Sequence, residues 1–302
     1  MRLTLGINTC FAVKRWPGPA DWGPLVRDRL GLRVVQHSFD LADPTSDDPV
    51  GLRTAIDALG LALHSTFTGL AAYSSNLLLD PEVRRRKAAG QWYEKAIEFT
   101  ARAGANATGG HVGAYSVADF VDPDRRAVRW RGLVDSLAHL AEDARRAGLS
   151  YLVVENLAAA REPSTMTMVR ELLAEGTEKG VPIRLCLDVG HMCVPGTGGD
   201  DRDPYAWLRQ LGRDAPIVQL QQSDADGDHH WPFTTRYNTL GRIDADRVID
   251  ALGEGDVDET VLILEVIPPF EQDDDAVLDD LVASVDYWRE ALARRGVAAD
   301  DA

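Results

Sequence analysis

Eight short apolar runs recur through this chain at intervals of roughly 25–40 residues, each of strand length and bounded by turn residues. They are LTLGINT (3–9), LRVVQHS (32–38), LALHSTF (61–67), ATGGHVG (107–113), YLVVENL (151–157), IRLCLDVGHM (183–192), IVQLQQSD (217–224) and VLILEVIPP (261–269). Amphipathic stretches such as 81–105 and 131–148 lie between them, with apolar residues at i, i+3, i+4 spacing and a glycine at the end. Asp80-Pro81 reads as the N-cap and first residue of the first of these helices. Strand–helix alternation repeated eight times predicts an α/β chain closed into a (β/α)8 barrel. No linker or composition break divides it, so residues 1–302 read as a single barrel domain. The longer connections, 10–24, 114–130 and 193–204, follow strands one, four and six, on the face where such barrels carry their chemistry.

Four of the runs end on metal-compatible side chains: Glu155, then Asp188 with His191, then Gln221 with Asp224, then Glu265. A lone carboxylate after a buried strand is costly without a partner. Arginines folding in from elsewhere would satisfy Glu155 and Glu265 equally well, and Asp188 has the bland alternative of capping the loop after it. Three carboxylates and one neutral amide oxygen make a hard site that suits Mn²⁺ or Mg²⁺, with Co²⁺ a third candidate, better than structural Zn²⁺. Gln219 also points inward by period-two alternation, so Gln219 and Gln221 compete for the strand-seven position. His191 is placed to touch substrate oxygen or to support a ligand.

Of the seven histidines, His37, His64, His111, His191, His229 and His230 fall at or just past predicted strand ends, and His139 falls in a helix. A barrel would gather the first group around its mouth. Substrate-binding candidates are therefore His64, His111, His191, His229 and His230, with Arg236 from a loop on that face. Lys14, Arg15 and Arg236, helped by Ser65, Thr66 and Ser223, are the donors available to a phosphate, and no glycine-rich phosphate loop is evident. Trp16, Phe67 and Trp231 would wall the pocket or simply pack.

A net charge of −16 repels phosphate backbones, which argues against a nucleic-acid partner. No run is long and apolar enough to span a membrane, and the N-terminus lacks a signal-peptide h-region, so the expected address is cytoplasmic. Cys10, Cys186 and Cys193 are an odd set that reads as reduced thiols. Of the four lysines, Lys87, Lys95 and Lys179 fall in predicted helices, which leaves only Lys14 for imine chemistry and argues against it. The acidic runs at 271–275 and 300–302 read as solvated surface.

The order NLLLDPEVRRR (76–86), GGHVG (109–113), Glu155-Asn156, Asp188-Val189-Gly190-His191, Gln221-Gln222-Ser223-Asp224 and Glu265 resembles the xylose isomerase-like TIM-barrel superfamily of sugar and sugar-phosphate isomerases and epimerases. The resemblance implies Glu155, Asp188, Gln221 and Glu265 as metal ligands, with Glu155 and Glu265 also the proton-transfer pair. Two positions depart from the family pattern. Gln221 replaces the usual strand-seven histidine, as in the hydroxypyruvate isomerase-like branch, and Ser223 replaces a lysine. The implied reaction is metal-assisted enediolate formation on a small ketose or ketose phosphate. Proton return to the same carbon gives 3-epimerisation, and return to the neighbouring carbon gives aldose–ketose isomerisation. Tetrulose-phosphate 3-epimerases and hydroxypyruvate isomerases are the implied neighbours. The rival readings are three: a metal-dependent lyase eliminating from a 3-oxo sugar or glycoside, which would bring a partner subunit; an abasic-site endonuclease-like barrel, disfavoured by the acidic balance and by Gln221; and a non-catalytic sugar-binding barrel. A homodimer is the expected assembly, with Trp207 and Trp288 as contact or core residues.

Overall fold

The apolar runs form eight parallel strands: β1 (Arg2–Asn8), β2 (Val34–Ser38), β3 (Ala62–Phe67), β4 (Ala107–Gly110), β5 (Tyr151–Glu155), β6 (Ile183–Asp188), β7 (Ile217–Leu220) and β8 (Glu259–Leu264). Each pairs with its sequence neighbour, and β1 pairs with β8 from Arg2↔Glu259 to Ile7↔Leu264, so the sheet closes on itself. The computed structural model describes residues 1–39, 43–45, 48–175 and 180–297; Lys179 and the acidic run at 300–302 lie outside the described residues.

Ten helices pack around or cap the barrel among the described residues. They are α1 (Pro19–Pro24), α2 (Pro49–Ala58), α3 (Val83–Ala103), α4 (Val117–Val121), α5 (Pro123–Ala147), α6 (Met166–Glu175), α7 (Pro204–Leu211), α8 (Thr235–Leu240), α9 (Ala245–Glu254) and α10 (Asp274–Arg294). Part of the chain's acid content has a local task. Asp48, Asp122, Asp203, Asp244 and Asp273 each cap a helix N-terminus by accepting backbone N–H bonds, worth about 1 kcal/mol apiece. Acidic residues 271 and 273–275 are exposed, as expected of a solvated run.

Two helix starts differ from the sequence expectation. Asp80 does not cap α3: its carboxylate accepts from Glu82 N–H at 2.8 Å, making a turn that delays the helix to Val83. The connection at 114–130 is mostly helical, because Ser116 and Asp122 cap α4 and the early turns of α5. Trp207 and Trp288 are fully buried core residues and make no surface for a partner.

Inside the barrel, Val34, Phe67, Ala107, Val153, Cys186, Ile217, Val261 and Ile263 form one apolar cluster. The β4 glycines make this closure feasible. Gly109 has φ +146°, and a Cβ there would lie 1.9 Å from the Val153 carbonyl oxygen, so a side chain would force β4 away from β5.

His37 leaves the expected ring. It faces outward from β2, stacked on Phe99 (6.0 Å, 16°) and edge-on to Phe39. Both ring nitrogens are buried without a hydrogen-bond partner among the described residues, and burial lowers its pKa to about 4. A folded-state value below the unfolded 6.5 means that the unfolded chain takes up the proton first. The stability His37 contributes is complete above pH 6.5 and is lost as pH falls towards 4. Measured by urea denaturation across that window, His37→Phe should show a shallower acid-side loss than the parent chain; parallel curves would refute the assignment.

Candidate metal centre and active site

Glu155 ends β5, Asp188 ends β6 and Glu265 follows β8, so the strand exits deliver all three to one end of the barrel, where all are buried. Glu155 Oε1 lies 3.6 Å from His191 Nδ1, Asp188 Oδ2 lies 3.8 Å from His191 Nε2, and Glu265 Oε2 lies 3.8 Å from His230 Nδ1. Asp228, in the loop after β7, completes the group: its carboxylate is 3.3 Å from His191 Nε2 and 3.2 Å from His230 Nε2. Among the described residues no arginine or lysine pairs with any of these four carboxylates, so the arginine-bridged alternative for Glu155 and Glu265 does not hold.

The neighbouring residues fix these groups in place. The Asn156 amide donates to Asp188 O and accepts from Asp188 N–H, both at 2.9 Å, which adds a side-chain rung between the exits of β5 and β6. His191 Nδ1 donates to Asn156 O at 2.6 Å. Asp188 Oδ1 also accepts from Gly190 N–H at 2.6 Å, so the loop-capping role and the site role coexist. A Cβ at Gly190 would come within 2.3 Å of Gln221 Cδ, so the glycine of D-V-G-H is the space in which Gln221 lies.

Gln219 and Gln221 divide their work. Gln219 Nε2 donates to Glu265 Oε1 (2.9 Å) and to Gln36 Oε1 (3.0 Å), and Asn8 Nδ2 donates to the same two oxygens (3.1 and 2.9 Å). Gln219 thus belongs to a polar layer beneath the site that holds Glu265. Gln221 stands against Asp188 and Asp228.

Burial raises the pKa of Glu155, with Asp188 adding to it while His191 and the Tyr73 hydroxyl act against it. Burial likewise raises Glu265 well above the carboxylate range, opposed by His230. Burial opposes the charged form of the histidines too, but nearby carboxylates win. Asp188 and Asp228 hold His191 well above 6.5, and Asp228 holds His230 at about 9. Asp228, although burial works against it, is kept far below the usual carboxylate range by the two imidazoles.

A family model for xylose isomerase-like TIM barrels matches residues 28–292. The chain belongs to the xylose isomerase-like TIM barrel family. A crystal structure from Rhodospirillum rubrum ATCC 11170, provisionally named a xylose isomerase, is 34% identical at a TM-score of 0.88, covering 95% of this chain and 99% of that one. A D-erythrulose 1-phosphate 3-epimerase of Brucella abortus (strain 2308) is 29% identical over 301 residues, 95% of this chain and 96% of its own. A D-psicose 3-epimerase of Clostridium cellulolyticum H10, crystallised with D-tagatose, shares the fold at a TM-score of 0.70 and 15% identity, over 96% of this chain and 99% of its own.

In this family member the donors fit a divalent cation. Glu155–Asp188–His191, Asp188–His230–Glu265 and His191–Asp228–His230 each bring three ligand atoms within 4.8 Å of one another. Glu265 Oε2 and His191 Nε2 are buried with no hydrogen-bond partner among the described residues. A carboxylate oxygen left without a donor in a desolvated, carboxylate-rich pocket is a group that a cation satisfies, while His191 Nε2 faces Asp228 at 3.3 Å. The oxygen expected from strand seven faces away from the group. Gln221 Oε1 accepts from His230 N–H at 2.6 Å, which turns the amide nitrogen towards Asp188 (3.1 and 3.2 Å) and Asp228 (2.7 Å). Turning the oxygen inward would strand that buried backbone N–H, so His230 is the better-placed donor there.

The remaining candidates separate. His111 is buried next to the group: its Nε2 is 3.3 Å from Glu162 Oε1, and its ring packs edge-on to Tyr73, whose hydroxyl donates to Glu155. His229 bonds Asp224 at 3.1 Å and stacks on Trp231 at 3.9 Å, at the rim. Arg236 is exposed on α8, its guanidinium 5.1 Å from the Tyr237 ring that in turn stacks on Trp231. Both His229 and Arg236 stand outside the buried cluster; His229, with His230, Trp231 and Tyr237, lines a cavity of about 120 Å³. His64 is not part of the mouth. It lies at the bulge where β2 and β3 shift register, and the carboxylate acting on it is Glu259 at the start of β8, the opposite end of the barrel. Of the phosphate candidates, Arg15 pairs with Asp274, Thr66 bonds Thr100 and Thr108 outside the barrel, Ser65 takes Gln36, and Ser223 bonds Gly227 O. Lys14 lies over the Phe270 ring at 3.9 Å.

Sequence reasoning missed Asp228 and Tyr73. Asp228 directly precedes two histidines already singled out in DADGDHH, and that adjacency was the available signal. Within that run Asp224 caps the loop, accepting from the N–H groups of Asp226 and Gly227. Tyr73 reaches Glu155 across 82 residues of sequence, and nothing local announces it.

The polar layer beneath Glu265 generates a prediction. Gln36→Leu strands one amide hydrogen of Asn8 and one of Gln219, each costing about 1–3 kcal/mol. Urea denaturation should show a loss of at least about 2 kcal/mol, whereas an unchanged midpoint would mean that the layer is not structural.

Proposed function

We propose that this chain is a divalent-metal-dependent sugar epimerase acting at C3 of a short ketose or ketose phosphate. One observation carries the reading: Glu155 and Glu265, from non-adjacent strands, flank Asp188 from two sides, buried and unpaired with any arginine among the described residues. The family, and the likeness to a D-erythrulose 1-phosphate 3-epimerase, support a sugar isomerase or epimerase and make a tetrulose phosphate the first substrate to try.

Glu155, Asp188, Glu265 and His230 are the residues that would hold the ion. Bound there, a divalent cation would polarise a carbonyl and its neighbouring hydroxyl, lowering the barrier to removing the proton between them. The oxygen-rich set suits Mn²⁺ and Mg²⁺, and the imidazole corner tilts the balance towards Mn²⁺. One of the two glutamates takes the C3 proton and the other returns a proton from the opposite side, which inverts the carbon. Burial favours this exchange, because a carboxylate whose charged form is destabilised accepts a proton more readily. His191, placed against Asp228 and Asp188, orients substrate hydroxyls, and His111 supports Glu155 through Tyr73.

The test is turnover in D₂O of D-erythrulose 1-phosphate and of four- to six-carbon ketoses with and without phosphate, followed by NMR. Deuterium should appear at C3 together with the epimer; elimination products, or exchange with no epimer from any substrate, would sink the reading. Glu155→Gln and Glu265→Gln should each lower kcat by about 10²–10⁴-fold, the usual worth of a positioned acid or base.

Metal dependence is read separately. Chelator-treated protein should lose turnover, and Mn²⁺ at about 100 times its Kd should add about 2.7 kcal/mol of stability. Asp188→Asn should abolish that gain in thermal unfolding; a gain that survives the substitution would place the ion elsewhere.

A further inference from the structure

The two glutamates are held by different means. Glu265 Oε1 takes amide N–H bonds from Asn8 and Gln219. Glu155 takes its hydrogen bonds, among the described residues, from one group alone: the Tyr73 hydroxyl, 3.0 Å from Oε1 and 3.0 Å from Oε2. His191 is near but at 3.6 Å, beyond hydrogen-bond reach.

Tyr73 is well placed to hold an orientation. It sits on a 3-10 turn, Leu70–Ser74, after β3. Leu78 N–H bonds Val112 O, the Asn76 amide donates to Ala114 O, and Leu78 and Leu79 are buried, which ties residues 76–79, just after that turn, to the exit of β4. The ring is steadied by His111, edge-on at 4.7 Å, and His111 is steadied in turn by Glu162 and by its backbone bond to Thr68 Oγ1. The phenol therefore approaches Glu155 from a fixed direction, with both carboxylate oxygens within its reach.

We infer that Tyr73 is the positioning residue for Glu155: its hydroxyl sets the rotation of the carboxylate so that one oxygen faces the reacting carbon. A glutamate terminal torsion is broad and roughly two-fold, so an unheld carboxylate spreads over many orientations, and a misplacement of about 1 Å costs a proton transfer up to about 10²-fold. Among the described residues no other hydrogen-bond donor reaches the Glu155 carboxylate, whereas Glu265 has two. The inference deepens the epimerase reading and rests on it for the kinetic part, while the orientation part stands on its own.

Tyr73→Phe keeps the ring and its His111 contact and removes only the hydroxyl. The expected result is a roughly 10- to 100-fold fall in kcat with KM within about two-fold, Mn²⁺ uptake unchanged and the chain still fully folded at the assay temperature. The second measurement needs no turnover. In protein carrying ¹³C at glutamate Cδ, the Glu155 resonance, assigned with Glu155→Gln, should shift or broaden in Tyr73→Phe while that of Glu265 stays put. A wild-type kcat, or a kcat loss that tracks lost Mn²⁺ or lost stability, would overturn the inference, as would an unmoved Glu155 resonance. A moved resonance in a chain that turns over no ketose would retain the positioning contact and reject the epimerase reading.

Discussion

Removing Glu155, Asp188 and Glu265 from water together costs several kcal/mol for each ion before any compensation. Two imidazoles, His191 and His230, offset part of that cost, and Asp228 lies between them at 3.3 and 3.2 Å. The offset is incomplete: burial still raises Glu155 and Glu265, and Glu265 Oε2 remains bare. Much of the surrounding architecture can be understood as the means of keeping this unbalanced group in place. The Asn156 rung, the Gln36–Asn8–Gln219 layer and the Gly190 clearance all hold charged groups where electrostatics alone would separate them.

Such a group needs a rigid frame, and closure of the sheet supplies it. The β1–β8 pairing ties the strand that carries Asn8 to the strand that precedes Glu265, which gives Glu265 its Asn8 donor. The apolar cluster inside the barrel fills the space below the polar layer and excludes water from the lower side. The result is a graded interior: apolar at the middle, amide-lined above it, and charged at the mouth. The gathering of carboxylates and imidazoles at that mouth suits the binding of a divalent cation and the transfer of protons to and from a bound substrate.

The two proton-transfer candidates differ in rigidity. Glu265 is pinned by amides from the barrel interior, so its support belongs to the frame itself. Glu155 depends on a phenol carried by a loop after β3, so its support belongs to the part of a barrel that varies most freely from one member to the next. Reaction specificity in such a scaffold can therefore be adjusted at one carboxylate without disturbing the other.

Eight apolar runs of strand length with helices between them were enough to define the barrel, because the periodicity of apolar side chains is a local property of the chain. The same reasoning reached Glu155, Asp188 and Glu265, since a residue that ends a parallel strand must emerge at the same mouth as its neighbours. It failed where a side chain's direction depends on a contact made far away in sequence. His37 and His64 sit on strands as expected, but one faces Phe99 on α3 and the other lies at a register shift near Glu259. Gln221 has the right position, yet a hydrogen bond from His230 N–H turns its oxygen away. Asp228 and Tyr73 reach the site from loops. The sequence by itself determined which elements form and which strand ends share a mouth. Only the tertiary structure decided which atoms face one another there, because hydrogen bonds between residues up to 257 positions apart set those directions.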